Sequence, residues 1–200
     1  MQFYQEINLK ETPEISPYFI LSKLYTQVHL ALVEQQNLDK TVNIGVSFPQ
    51  YIFKKENSKC ISTLGKCIRL FSSNKESFLK LNLRNTLSRL TDYLDIKKIE
   101  IVPTASIKGY NVFTRKQVKG SPESLARRYT KRHSSISYEE ALKLYSQNEK
   151  ISLKLPFIQM KSYSSNNMFK LFIEKKDVDS PQRGTFSTYG LSDSSTVPIF

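Results

Sequence analysis

The hydrophobic period of this chain changes repeatedly along its first hundred residues, and those changes limit the folds open to it. From Phe3 to Leu9 aromatic or apolar residues alternate with polar ones, the period of a half-buried strand. From Pro17 to about Gln36 the period becomes helical, with Ile20, Leu21, Leu24, Val28, Ala31 and Leu32 on one stripe. Asn43–Pro49 reads as a short buried strand that stops at a proline, and Cys67–Phe71 as another. A helix over Asn74–Leu90 and a strand over Ile99–Val102, ended by Pro103, complete the series. Strand, helix, strand, strand, helix, strand is the order of a ferredoxin-like domain, expected here over residues 1–105 of an α+β chain.

Beyond Pro103 the character changes. Lys108–Tyr110 is a loop signal, and a short basic helix follows over Pro122–His133. A second helix, about Ser137–Ser146, opens with the capping-box pair Ser137 and Glu140. Strands are expected at Leu155–Lys161 and Phe169–Lys175, flanking the polar loop Ser162–Asn167, and again at Thr185–Leu191 before an apolar end at Val197–Phe200. Residues 106–200 therefore read as a second domain with a basic helix and a small sheet.

Charge says what that domain meets. The formal net charge is +12. Half of it comes from Arg115–Arg132, where Arg115, Lys116, Lys119, Arg127, Arg128, Lys131 and Arg132 stand against the single acid Glu123. On the helix, Ser124, Arg127, Arg128, Lys131 and Arg132 share an arc of about 140°, with Leu125, Ala126 and Tyr129 opposite. A cationic face over a slim apolar seam suits a polyanion, and the seam is too small for membrane insertion. Nucleic acid is the expected partner. No apolar run approaches the roughly 20 residues that span a bilayer, and Glu6 and Glu11 argue against a signal peptide, so a cytoplasmic location is expected. Cys60 and Cys67 lack both CxxC spacing and a neighbouring histidine, which suits two core thiols in a reducing compartment better than zinc or a disulfide.

His29 lies about 120° round its helix from the centre of the apolar stripe, on the flank beside Tyr25. With two histidines and no carboxylate–histidine cluster, the sequence offers few metal ligands. RNA brings its own nucleophile, the 2′-OH, and needs only a positioned base, which suits an imidazole. Ser162, Tyr163 and Ser164 supply hydroxyls in an uncharged loop that also reads as an ordinary hairpin tip. Phe169 offers a stacking face or a core aromatic, and Tyr189 either a phenol aimed at a site or an ordinary strand residue before a glycine turn. Arg115 and Gln117 are the residue types that read guanine and adenine edges by two-point contacts.

Taken in order and spacing, these segments resemble the repeat-processing endoribonucleases of type I-F CRISPR systems, the Csy-type crRNA endonucleases. The resemblance runs almost end to end: Val28–Leu32, Ile44–Pro49, Arg115–Gln117, Pro122–His133, Ser162–Ser164, Phe169–Ile173, Tyr189–Ser192 and Val197–Phe200. It implies cleavage of CRISPR repeat RNA at the 3′ base of a stem-loop, without metal or other cofactor, leaving a 2′,3′-cyclic phosphate or 3′-phosphate. It also implies retention of the product in a surveillance complex with other subunits. By the same resemblance His29 is the catalytic histidine, Ser162 holds the 2′-OH and Tyr189 supports the histidine. Arg115 and Gln117 then read the lowest base pairs, Phe169 stacks on the terminal pair, and Arg128, Lys131, Arg132 and His133 belong to the phosphate-binding helix. Arg127 on that helix, Lys119 before it, and Tyr163 and Ser164 in the serine loop complete the expected RNA contacts. Three positions depart from the family pattern: Lys131 and Lys161 stand where arginines are usual, and Tyr163 where glutamine is.

Overall fold

The computed structural model describes residues 1–56, 59–117, 122–133, 136–146, 154–162 and 166–200. The chain is α+β. Its first part carries β1 (Phe3–Leu9), α1 (Pro17–Glu34), β2 (Thr41–Val42), β3 (Ile44–Ser47), β4 (Ile52–Glu56), β5 (Lys59–Thr63) and β6 (Cys67–Ser72). There follow α2 (Lys75–Leu81), α3 (Leu83–Thr86), β7 (Leu94–Ile96), β8 (Glu100–Ile101) and β9 (Gly109–Lys116). The remainder holds α4 (Pro122–Thr130), α5 (Tyr138–Ser146), β10 (Phe157–Lys161), β11 (Met168–Val178), β12 (Phe186–Ser187) and β13 (Val197–Ile199).

Sequence pattern accounts for most of this. In β1, Ile7 and Leu9 face inward from alternate positions and are buried. α1 starts with Pro17, whose fixed φ and missing N–H suit a first helical turn, and buries the expected stripe together with Tyr25. Leu24 and Leu32 are completely buried, each worth about 1.5–3 kcal/mol against exposure. The first sheet runs β3-β6-β1-β7, with β8 also on β1, and every neighbouring pair is antiparallel.

Three expectations change in detail. The helix read over Asn74–Leu90 divides at Asn82, which takes a left-handed conformation at φ 42° and ends α2; α3 and a 3-10 turn at Ser88–Leu90 follow. Asparagine tolerates that conformation better than most residues, and its cost is what stops the helix. The strand expected at Ile99–Val102 is the two-residue β8, and β7 just before it, not anticipated, also pairs with β1. The segment from Gly109, read as leaving a loop, is β9, which lies between β11 and β13 in the second sheet, β10-β11-β9-β13. Asn111, Val112, Phe113 and Thr114 are all buried there, so the strand shows no polar–apolar alternation to read. The β4–β5 hairpin was likewise not anticipated.

Residues 1–116 and 155–200 form one compact unit and residues 117–154 another. Within the first unit the two sheets are packed through β3 and the chain end. A Cβ on Gly45 would lie 2.6 Å from the Phe186 ring and 2.9 Å from Val197. Phe200 meets the rings of Tyr4 and Phe71 at 5.0 and 6.1 Å, and the Arg69 guanidinium lies 4.3 Å from the Phe200 ring centre. Among the described residues of the second unit are the two helices α4 and α5. Ala126 and Ala141 are buried, Tyr129 meets Tyr145 at 5.9 Å, and α5 is opened by the reciprocal pair Ser137 and Glu140. Among the described residues no helix is long and apolar enough to cross a membrane.

Candidate active site

The site begins with a turn. The strand expected over Thr185–Leu191 is only two residues of β12; the chain then reverses at Ser187–Gly190, closed by Gly190 N–H to the Ser187 carbonyl at 2.7 Å. Gly190 has φ +70°, and a Cβ there would fall 2.3 Å from Val46 Cγ2, so the close approach to β3 requires glycine. This reversal presents the Thr188 carbonyl and the Tyr189 ring to α1.

His29 receives both. Its Nδ1 is 2.8 Å from the Thr188 oxygen, which can only accept, so Nδ1 carries the proton and Nε2 keeps a free lone pair. Its ring lies parallel to the Tyr189 ring, centroids 4.1 Å apart and planes 5° apart. His29 is half-buried. Burial pushes its pKa below the ordinary histidine value, the Thr188 hydrogen bond opposes this, and the nearby Arg115 charge adds to the lowering. The result is an imidazole held neutral, oriented, and basic at one nitrogen.

Arg115 stands opposite Ile173 on β11 and so shares a sheet face with Ile173, Leu171 and Phe169. Its guanidinium lies 5.2 Å from the Tyr189 ring centre and 5.7 Å from that of Phe169. The fold therefore brings Phe169, Arg115, Tyr189 and His29 together, His29 stacked on Tyr189 and the Arg115 guanidinium near both the Tyr189 and the Phe169 ring. Residues 29, 115, 169 and 189 come from a helix, two strands and a turn.

Ser162 follows β10, and its N–H donates to the Asn167 carbonyl at 2.9 Å, closing the connection to β11. It lies two residues beyond Met160, which pairs with Phe169. The Ser22 hydroxyl donates to the Gln159 carbonyl, tying α1 to β10 between the elements that carry His29 and Ser162. Tyr163, Ser164 and Lys119 lie outside the described residues. Gln117 is exposed just past the end of β9. In the helical unit Arg127, Arg128, Lys131, Arg132 and His133 are all exposed, while Ala126 is buried and the Tyr129 and His133 rings meet at 4.4 Å, tilted by 33°. The helix ends at Thr130, and backbone bonds from Arg132 and His133 to the Tyr129 carbonyl finish it as a turn. Among the described residues no group of three or more His, Cys, Asp and Glu side chains is placed to hold a metal.

Sequence reasoning missed the Thr188 carbonyl, which as backbone has no residue signal, and the Ser22 hydroxyl. It also placed Tyr25 beside His29 without giving it a partner; its hydroxyl donates to the Tyr189 carbonyl at 2.7 Å. The four-residue spacing of Tyr25 and His29 on α1 was the available signal.

Comparison with known proteins agrees with the family read from the segments. The model of the family described as CRISPR-associated protein (Cas_Csy4) matches residues 4–200. Two curated proteins named CRISPR-associated endonuclease Cas6/Csy4 align over the full length of both chains, at 34% identity for the one from Escherichia coli (strain UTI89 / UPEC) and 35% for the one from Pseudomonas aeruginosa (strain UCBPP-PA14). A solved structure described as CRISPR associated protein Cas6 covers all of this chain, but at a TM-score of 0.32 and 12% identity it carries no argument. The family model spans nearly the whole sequence, the site residues included, and on that evidence the chain belongs to the Cas_Csy4 family of CRISPR-associated proteins.

Proposed function

We propose that the protein is a metal-independent, hairpin-specific endoribonuclease that cleaves CRISPR repeat RNA at the 3′ base of its stem-loop. One observation carries the reading: His29 is tied at Nδ1 to the Thr188 carbonyl and held neutral, so Nε2 is a ready base. In the reaction Nε2 takes the proton of the 2′-OH that Ser162 positions. That oxygen attacks the adjacent phosphorus and the bond to the 5′ oxygen breaks. The leaving oxygen takes a proton from water, giving a 2′,3′-cyclic phosphate and a 5′-OH. Tyr189 keeps the imidazole plane fixed by stacking. Names of the curated relatives, both endonucleases, support the activity class.

Recognition is assigned to the rest of the expected set. Arg115 and Gln117 read the lowest base pairs of the stem, and Phe169 caps the terminal pair. Lys119, Arg127, Arg128, Lys131, Arg132 and His133 hold phosphates, and Tyr163 and Ser164 contact the RNA beside Ser162. In this reading residues 1–105 are a ferredoxin-like domain carrying the catalytic histidine, supported by the β1-α1-β3-β6-α2-β7 order and antiparallel sheet. Residues 106–200 are the RNA-binding part. After cleavage the protein stays on its product within a cytoplasmic surveillance complex of the CRISPR system.

The test is product chemistry. The protein is incubated with its own repeat hairpin in EDTA, and with the same hairpin carrying a single 2′-deoxy nucleotide before the scissile phosphate. Cleavage that persists in EDTA and stops with the deoxy substrate is the expected result. Loss of cleavage in EDTA overturns metal independence, and tight binding without cleavage makes the protein an RNA-binding subunit only.

A further inference from the structure

Helix α1 grips the turn at Ser187–Gly190 twice. Tyr25 and His29 are one helical turn apart and lie above one another. The Tyr25 hydroxyl donates to the Tyr189 carbonyl at 2.7 Å, and His29 Nδ1–H donates to the carbonyl before it, Thr188, at 2.8 Å. The next two carbonyls are also held: Gly190 O accepts from Val46 N–H at 2.8 Å, and Leu191 O from Ser187 N–H at 2.8 Å and from its hydroxyl at 2.9 Å. Four successive carbonyls are thus fixed, and for the peptide that positions the Tyr189 ring the tie is the Tyr25 phenol.

We propose that Tyr25 is a positioning residue for His29: by holding the Tyr189 carbonyl it presents the Thr188 oxygen and the Tyr189 ring to the imidazole together, which keeps the proton on Nδ1 and leaves Nε2 open. The functional half of this rests on the reading of His29 as the base; the effect on the tautomer does not. Tyr25 is 1% exposed, and burial pushes its phenol pKa up, so the hydroxyl keeps its proton and remains a donor. Its ring packs against Phe48 with centroids 5.8 Å apart, a contact independent of the hydroxyl. The hydroxyl and the ring therefore have separable jobs. Removing the hydroxyl leaves a carbonyl without its donor, and the turn relaxes to find water.

Tyr25→Phe separates them, because it keeps the ring that fills the core. Two quantities are measured: single-turnover cleavage of the bound repeat hairpin, and the imidazole ¹⁵N shifts of His29 in the free protein, which report where the ring proton sits. In the wild type His29 is the Nδ1–H form; in Tyr25→Phe it becomes a mixture of both tautomers. Cleavage of bound hairpin slows by about five- to tenfold, the scale of one hydrogen bond, while hairpin affinity stays within about twofold. An unchanged tautomer in Tyr25→Phe overturns the proposal. So does a changed tautomer with an unchanged cleavage rate in a protein whose activity depends on His29. If His29→Ala leaves cleavage intact, the base reading is what fails, and the ¹⁵N shifts of Tyr25→Phe still decide whether the clamp exists.

Discussion

Neutrality is the property on which the chemistry proposed for His29 turns. Protonated, the ring has no lone pair for a 2′-OH; neutral and bound at Nδ1 to Thr188, it has one, at Nε2. Because burial and Arg115 lower its pKa, the free protein should show His29 titrating below the usual value of about 6.5. The single-turnover rate should be level at neutral pH and fall as acid passes that midpoint. Arg115→Ala removes one lowering charge, so NMR titration of the free variant should find the midpoint moved upward; a downward shift or none contradicts the assignment. His29→Ala should cost cleavage about 10²–10⁴-fold with hairpin affinity nearly unchanged, read by paired single-turnover and binding assays. Ser162 and His29 are proposed to act on one hydroxyl, so the double alanine variant should be little slower than His29→Ala alone. Additive losses would put Ser162 outside the reacting group.

Elements show where a sequence speaks and where it is silent. β1 and α1 were legible because each buries one face, and the switch from a period of two to one of 3.6 is visible in seven and eighteen residues. β9 was not, since it is a central strand with buried Asn111 and Thr114, whose polar side chains hide the run. The helix over residues 74–90 read as continuous because asparagine is a weaker stop signal than glycine; Asn82 nonetheless takes φ 42° and ends α2. For the candidate site, side chains were legible and their company was not. His29, Arg115, Phe169 and Tyr189 stand out as residue types, but the hydrogen bond that fixes the histidine comes from a backbone oxygen that any residue at 188 could supply. Gly190 is the sequence mark of that turn. Gly190→Ala should destabilise the fold by about 1–3 kcal/mol, since alanine must accept φ +70° and displace Val46, and the loss should appear as a lowered Tm.

At the scale of the whole molecule, charge and shape are divided between places. The exposed basic residues of α4 and the turn after it present a field to any phosphate backbone, whereas Arg115, near the end of β9, lies 5.2 Å from the Tyr189 ring centre and 5.7 Å from that of Phe169. Arg132→Ala should therefore weaken all hairpins alike and reduce the salt dependence of binding by about one unit of slope. Arg115→Ala should cost about 1–3 kcal/mol on the matched stem and blunt discrimination at one base pair. Equal losses on matched and mismatched stems from both variants would remove base reading from Arg115. The distance along the chain between His29 and the oxygen that orients it has a consequence for synthesis. The two are 159 residues apart, and at about 5–20 residues per second a ribosome needs on the order of 10–30 s to make the second after the first. A nascent chain that ends between residues 133 and 188 carries the histidine and the basic helix but lacks the group that aims the ring. On the proposed function such a polypeptide is expected to hold RNA and not yet to sever it, including the messenger from which it is being made.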